Sequence, residues 1–447
     1  MPAIDLQRRA WVVSVDMGYG HQRAAYPLNE IANERIITAN NDQIISDRER
    51  AIWTWTRVGY ETVSRLKGIP IIGKAIFGIY DSLQSIAPFY PFKVDARPTL
   101  TVLRIRNMVK RWGLCRSLID YVRREDLPLI STHFIPALAA DYLGLERVFC
   151  VVTDTDINRA WATDRPAETR ITYLTPSRHA AMRLRQYGVP EGRIVFTGFP
   201  LPRENVGGRD QSILKKDLCE RLPNLDPNGK FLSVYQETVR KFVGEVQCRS
   251  NHPLTLTFMV GGAGAQQDIG ITVVRSLLKK IQQGKIRVNL IAGTRLDVAS
   301  FFNQELALLG IKPDGRSGVK VIYALDKRAY FAAFNQELHT TDLIWTKPSE
   351  MSFYTALGIP VIIAPPVGAH EKFNRQWLEH IGSGFVQEDP KYVDQWLFYV
   401  LESGKYAEAA WDGFMEAPSL GTYNIEEALF GKAEAAAGPT GPKMPDA

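Results

Sequence analysis

Short apolar runs rich in β-branched residues alternate with stretches of helical length along most of this chain, and that alternation leaves few folds open. The runs fall at 11–15, 129–131, 148–153, 171–175 and 194–197, and again at 255–260, 288–292, 319–323, 343–345 and 361–364. Each is too short for a buried helix and nearly continuous in its apolar character. Strands buried on both faces look like this, and parallel strands need a crossover helix between them. Helical periodicity is found between the runs, at 22–33, 135–143, 178–187, 266–283, 298–309, 327–335, 351–357 and 372–381. The expected class is therefore α/β, with two Rossmann-like domains whose parallel sheets face one another across a cleft. A length of 447 residues suits two cores of ordinary size.

The division is expected near residue 205. The polar, glycine-containing loop 204–210 precedes a helical hairpin over 211–222, and two prolines and a glycine follow within 222–230. The first domain is then 1–205 and the second 206–400, with 231–234 as a candidate extra strand. Helices within 401–432 are expected to cross back onto the first domain. The Ala/Gly/Pro-rich stretch 433–447 is expected to be a disordered tail. Cys115, Cys150, Cys219 and Cys248 are widely spaced and form no CxxC pair, so neither a zinc site nor a disulfide framework is expected. No signal-peptide pattern and no apolar run of membrane-spanning length is present, and the expected location is cytoplasmic.

The formal charge of +6 is concentrated. Residues 65–112 hold nine Lys/Arg against two acids, together with Phe77, Tyr80, Phe89, Tyr90, Phe92 and Trp112. A helix pair with its aromatics inward would account for this composition. The functional reading is a peripheral contact with an anionic membrane surface, preferred over nucleic acid.

Six places carry the candidate chemistry, each where a strand ends and a helix begins. The first is Gly18-Tyr-Gly20-His21, where glycines turn the chain and His21 projects beyond the sheet edge. The second is Ser131-Thr-His133. The third is Thr153-Asp154-Thr-Asp156, followed by Trp161. The fourth is Gly261-Gly262-Ala-Gly264, a phosphate-cradle pattern without the Lys-Ser/Thr of a Walker loop. The fifth is Lys347-Pro-Ser349-Glu350-Met-Ser352, a helix start suited to phosphate, with Glu350 placed for ribose hydroxyls. The sixth, His370-Glu371-Lys-Phe-Asn374, is rich in groups that grip sugar hydroxyls.

Taken in order, these motifs resemble the glycosyltransferase-B (GT-B) superfamily, and within it the monogalactosyldiacylglycerol synthases and MurG-type enzymes. Gly18-Tyr-Gly-His21 is similar to that family's Gly-rich histidine turn, and Ser131-Thr-His133 and Val151-Val-Thr-Asp154 with Trp161 to its strand ends. Thr197-Gly-Phe-Pro200, Gly261–Gly264, Leu357-Gly-Ile-Pro360 and Gly368-Ala-His-Glu371-Lys-x-Asn374 continue the likeness, which spans about residues 11–400. The sequence departs from the family pattern where its ribose glutamate would fall, on Phe353, one helical turn beyond Glu350. An extra residue also precedes Arg203.

The resemblance implies an inverting glycosyltransferase that moves a sugar from a nucleotide-diphosphate donor, UDP-linked, to a lipid or other hydroxyl acceptor. His21 or Asp154 would be the catalytic base, with Gly18, Gly20, His133 and Trp161 on the acceptor side. Gly261, Gly262, Gly264, Arg203, Lys347, Ser349, Glu350 and Ser352 would hold the nucleotide, and His370, Glu371 and Asn374 the donor sugar. No cofactor or metal is expected. Two alternatives are a non-hydrolysing sugar-nucleotide epimerase using Glu350, Glu371 and His370, and a non-catalytic GT-B-like binding protein.

Overall fold

The computed structural model describes residues 8–54, 86–246, 249–259, 266–366 and 369–431. It contains two six-stranded sheets in which every pairing is parallel. The first is built from β1 (Trp11–Ser14), β2 (Ile37–Thr38), β3 (Leu129–Ser131), β4 (Val148–Val151), β5 (Ile171–Thr175) and β6 (Ile194–Phe196), in the order β2-β1-β3-β4-β5-β6. The second is built from β7 (Thr255–Met259), β8 (Arg287–Gly293), β9 (Val319–Tyr323), β10 (Leu343–Thr346), β11 (Val361–Ile363) and β12 (Gly384–Val386), in the order β12-β11-β10-β7-β8-β9. Helices cover both sheets, so the class is α/β with two Rossmann-like halves.

Both sheets change direction once. In the first sheet the chain lays β2 on one side of β1 and then crosses to the other side for β3. In the second it runs outward through β8 and β9, then returns to place β10 beside β7. The registers Val13↔Ser131 and Phe258↔Trp345 bring the carboxyl ends of each central pair level. At such a switch point the two following loops diverge and leave a crevice.

The strongest apolar runs became strands, and the two unpredicted ones, β2 and β12, lie at sheet edges. The helix expected over 22–33 divides into an α-helix, Gly20–Ala25, and a 3₁₀-helix, Tyr26–Ile31, because Pro27 cannot donate to the α-helical ladder. The candidate strand at 231–234 is instead the start of a helix, Leu232–Val243. The Asp226 carboxylate accepts the Leu232 N–H at 2.9 Å and satisfies one of the donors a helix start leaves open.

One face of the first sheet packs Trp11, Val13 and Val148 against helices such as Phe134–Tyr142. Its other face packs Val12, Ile130 and Leu174 against Ile425 of the last described helix, Gly421–Phe430. That helix also touches the junction between the sheets. Thr422 donates to the Leu201 carbonyl and Asn424 to the Thr197 carbonyl, at 2.6 and 2.9 Å. Gly421 passes so close to the backbone of Phe199 that a Cβ would lie 2.0 Å from its carbonyl oxygen. A further apolar cluster is shared by the halves. Ala24 and Phe199 from the first side pack with Met259, Tyr330, Phe331, Phe334, Phe353 and Tyr354 from the second.

Candidate functional site

The described segments that leave the two switch points carry many of the sequence-predicted residues. The loop after β1 carries Gly18, Gly20 and His21, and β3 ends in Ser131 before Thr132 and His133. Across from them, Lys347, Ser349 and Glu350 follow β10. The loop after β7, with Gly261, Gly262 and Gly264, lies outside the described residues.

On the first side, the His21 Nδ1 lies 2.7 Å from the Thr132 carbonyl oxygen, which can only accept. Nδ1 therefore carries the proton, and neutral His21 keeps its basic lone pair on Nε2. The Thr132 hydroxyl donates to the His21 carbonyl at 2.7 Å, so the two loops brace each other. His133 has the opposite tautomer. Its Nδ1 accepts the Ile135 N–H at 3.1 Å and caps the helix Phe134–Tyr142, which puts the proton of the neutral ring on Nε2. Burial, with the neighbouring His21 adding to it, holds the His133 pKa well below the ordinary histidine value. The two rings meet edge to face at 4.6 Å. Trp161 is buried in the core and packs on Phe134 at 5.2 Å, supporting the ring stacked on His133.

On the second side, Lys347 Nζ donates to Glu371 Oε1 at 2.5 Å. Glu371 is almost wholly buried, so this cation offsets a charge that would otherwise be costly to enclose. Ser349 stands before the 3₁₀-helix Glu350–Leu357 with extended backbone and makes no side-chain cap. Ser352 is fully buried within that helix, and its hydroxyl has no hydrogen-bond partner among the described residues. Among the described residues no group of three or more His, Cys, Asp or Glu is arranged to hold a metal ion.

The two sides meet through polar side chains. Asn374, fully buried, accepts at Oδ1 from the Thr155 N–H and hydroxyl, at 3.0 and 2.9 Å. Its amide donates to Asp154 Oδ1 at 3.1 Å and to the Pro348 carbonyl at 3.3 Å. The Tyr19 hydroxyl accepts the Thr294 N–H at 2.9 Å, next to Gly293, where a Cβ would lie 2.6 Å from that oxygen. Lys327 reaches Asp16 at 2.5 Å. Arg23 Nε lies 3.5 Å from Glu350 Oε1. His21, Asp154, Glu350 and Asn374, predicted from separate motifs, are thus placed around one junction of strand ends.

Other predicted residues are placed elsewhere. The Arg203 guanidinium pairs with Glu426 and with Glu30, and lies over the Tyr423 ring at 4.6 Å. Its partners belong to the last described helix and the first half, with none of the predicted nucleotide residues among them. Phe353, where the resemblance would put a glutamate, is buried and stacks on Phe199 at 4.8 Å with the planes 12° apart, a core role. His370 lies in the helix Ala369–His380.

The sequence motifs gave no role to Tyr19 or Arg23. Their spacing carried the signal, because Tyr19, Arg23 and Tyr26 follow a helical period. All three meet Phe331, at 6.3, 4.9 and 5.5 Å. Thr132, Thr153 and Thr155 stood inside the quoted motifs as polar spacers, and they prove to fix His21 and Asn374.

No protein-family model matches the chain, and no curated protein matches it. Among solved structures it is similar to Acinetobacter baumannii MurG, at 12% identity and a TM-score of 0.45, covering 94% of this chain and 99% of that one. It is similar to the Neisseria meningitidis UDP-GlcNAc 2-epimerase bound to UDP-GlcNAc, at 12% identity and a TM-score of 0.44, covering 72% and 81%. WaaG, a glycosyltransferase involved in lipopolysaccharide biosynthesis, gives 12% identity and a TM-score of 0.37, covering 78% and 89%.

Proposed function

We propose that the chain is an inverting glycosyltransferase that takes a sugar from a nucleotide-diphosphate donor, UDP-linked, and passes it to a hydroxyl acceptor. The observation that carries this reading is the meeting of the two switch points. One side carries a histidine with a defined basic nitrogen and the Asp154 carboxylate, and the other carries Asn374, bonded to that carboxylate, and the Lys347–Glu371 pair.

In this reading the second half holds the donor and the first half the acceptor. The acceptor hydroxyl attacks the anomeric carbon as His21 Nε2, or the Asp154 carboxylate, takes its proton. The bond from that carbon to the diphosphate breaks, and the diphosphate leaves with the electron pair. Lys347 and the loop amides at the strand ends stabilise its charge, with no metal in the step. Glu371 and Asn374 orient the sugar. Packing of the halves against each other excludes water and limits donor hydrolysis. Glu350 and Glu371 each already face a cation, Arg23 and Lys347, which suits positioning better than the proton shuttling an epimerase needs.

Thermal stabilisation by UDP, GDP, ADP, dTDP and their sugar conjugates tests the donor side, because a ligand of the folded state raises Tm. A clear rise with UDP or its conjugates is expected. No rise with any of them would overturn the reading.

A membrane-facing acceptor surface is part of the same proposal. Tyr90, Phe92, Val94, Leu100 and Trp112 are exposed, beside the exposed Lys93, Arg104, Lys110 and Arg111. The helix Leu100–Asn107 turns Val102 and Ile105 inward and leaves this aromatic and basic edge outside. Residues 65–85 of the basic segment lie outside the described residues, which hold no helix long and apolar enough to cross a membrane. Co-sedimentation with anionic vesicles at low salt is expected, and failure to pellet would refute it.

A further inference from the structure

Arg23 has an unusual setting for a charged side chain. It is 2% exposed, and its guanidinium lies over the rings of Phe334, Phe331, Tyr330 and Tyr354, at 4.6, 4.9, 5.4 and 5.8 Å. Nη2 donates to the Tyr330 hydroxyl at 2.8 Å, while Nη1 and Nε have no hydrogen-bond partner among the described residues. Burial works against its charge, yet Tyr330, Tyr354 and Glu350 hold its pKa above the ordinary arginine value. An aromatic box of this kind would pack an apolar side chain at least as well, so a cation here needs a use. The carboxylate it faces is Glu350, Oε1 of which lies 3.5 Å from Nε. The other oxygen, Oε2, lies 3.1 Å from where a Cβ on Gly20 would stand. Gly20 has no positive φ to require glycine, and the room its missing side chain leaves is filled by Glu350. The carboxylate is thus ion-paired by Arg23 of the opposite half and seated in the room that Gly20 leaves, on either side of His21 in sequence, while 12% of its side chain remains exposed.

We propose that Arg23 is a positioning residue, holding the Glu350 carboxylate across the junction so that it presents its remaining acceptor capacity to the ribose hydroxyls of the nucleotide. This rests on the glycosyltransferase reading above and deepens it. Because Arg23 is two residues from His21 on one helix, Gly20–Ala25, nucleotide recognition and the catalytic turn share one rigid support.

The test is the affinity of the full chain for UDP and for 2′,3′-dideoxy-UDP, measured by titration calorimetry. The wild-type protein should prefer UDP by about tenfold or more, the value of one or two hydrogen bonds to a charged acceptor. Glu350→Gln and Arg23→Met should each abolish most of that preference, and the double variant should lose no more than either alone. Tyr330→Phe and Gly20→Ala disturb the same setting while keeping both charges of the pair. They should weaken the preference even if Arg23→Met does not fold. A ratio kept at the wild-type value in Arg23→Met, or in both milder variants, overturns the proposal. Equal wild-type affinity for the two nucleotides overturns it too, but leaves nucleotide binding in the cleft standing. No binding of either overturns both readings.

Discussion

Replacing Asn374 by Asp changes one atom of the bridge between the halves and should make stability depend on pH in a defined direction. The Thr155 N–H and hydroxyl keep their acceptor in the variant. The Nδ2 donor, however, becomes an oxygen facing two acceptors, Asp154 Oδ1 at 3.1 Å and the Pro348 carbonyl at 3.3 Å. Two lost hydrogen bonds, one of them to a charged group, cost about 2–4 kcal/mol. The two carboxylates can relieve their repulsion by sharing a proton, which raises one folded-state pKa above its unfolded value of about 4. The folded variant then holds a proton that the unfolded chain releases. Stability from that proton is fully present below about pH 4 and is lost as pH rises through the raised value. The deficit relative to wild type should therefore be largest at neutral pH. It should shrink by about 2 kcal/mol between pH 7.5 and pH 5, within the limit of about 1.4 kcal/mol per pH unit for one proton. Urea denaturation of both proteins at the two pH values measures it. A deficit that is constant with pH, or below about 0.5 kcal/mol, a fraction of one hydrogen bond, would refute the bridge.

Replacing His21 by Ala should slow sugar transfer by about 10²–10⁴-fold, the usual contribution of a general base, with nucleotide affinity nearly unchanged; an unaltered kcat would remove His21 from the mechanism. His133 is buried with a depressed pKa, so the unfolded chain takes up its proton first as pH falls below about 6.5, and wild-type stability declines there. His133→Asn keeps a capping acceptor without a titrating ring, and should flatten the Tm-against-pH curve between about pH 6.5 and 5. Gly421→Ala forces a methyl onto the Phe199 carbonyl and should cost about 1–3 kcal/mol, with faster proteolysis near residue 421 as the second readout.

What could be read in the sequence divides along physical lines. Inner strands such as β4 and β11 are flanked on both sides and largely buried, so every position is apolar and the run stands out. The edge strands β2 and β12 have two and three residues, and a glycine opens β12, so no run forms. The motifs at strand ends were visible because turns demand glycine, proline or small polar residues. Which side chains would meet across the halves was not visible, since Asn374 and Thr155 stand 219 positions apart. Arg203 is a second case. The resemblance assigns it to the nucleotide, and its carboxylate partner, Glu426, lies 223 positions further along the chain. Phe353 shows the reverse case. A position where the resemblance wants a charge is filled by a ring because Phe199 stacks on it from the junction.

The last described helix has a mechanical consequence. The chain passes between the halves twice, once after β6 and once before Gly421. The two passages are fastened together, by Gly421 on Phe199, by Thr422 on Leu201 and by Arg203 on Glu426. Two pins set side by side act as one short axle. Any swing of one half against the other must turn about that line, and sliding would tear both fastenings. Residues far from the junction of strand ends can therefore set how wide it opens, and a weakened fastening should loosen the motion without touching a single group that meets a substrate.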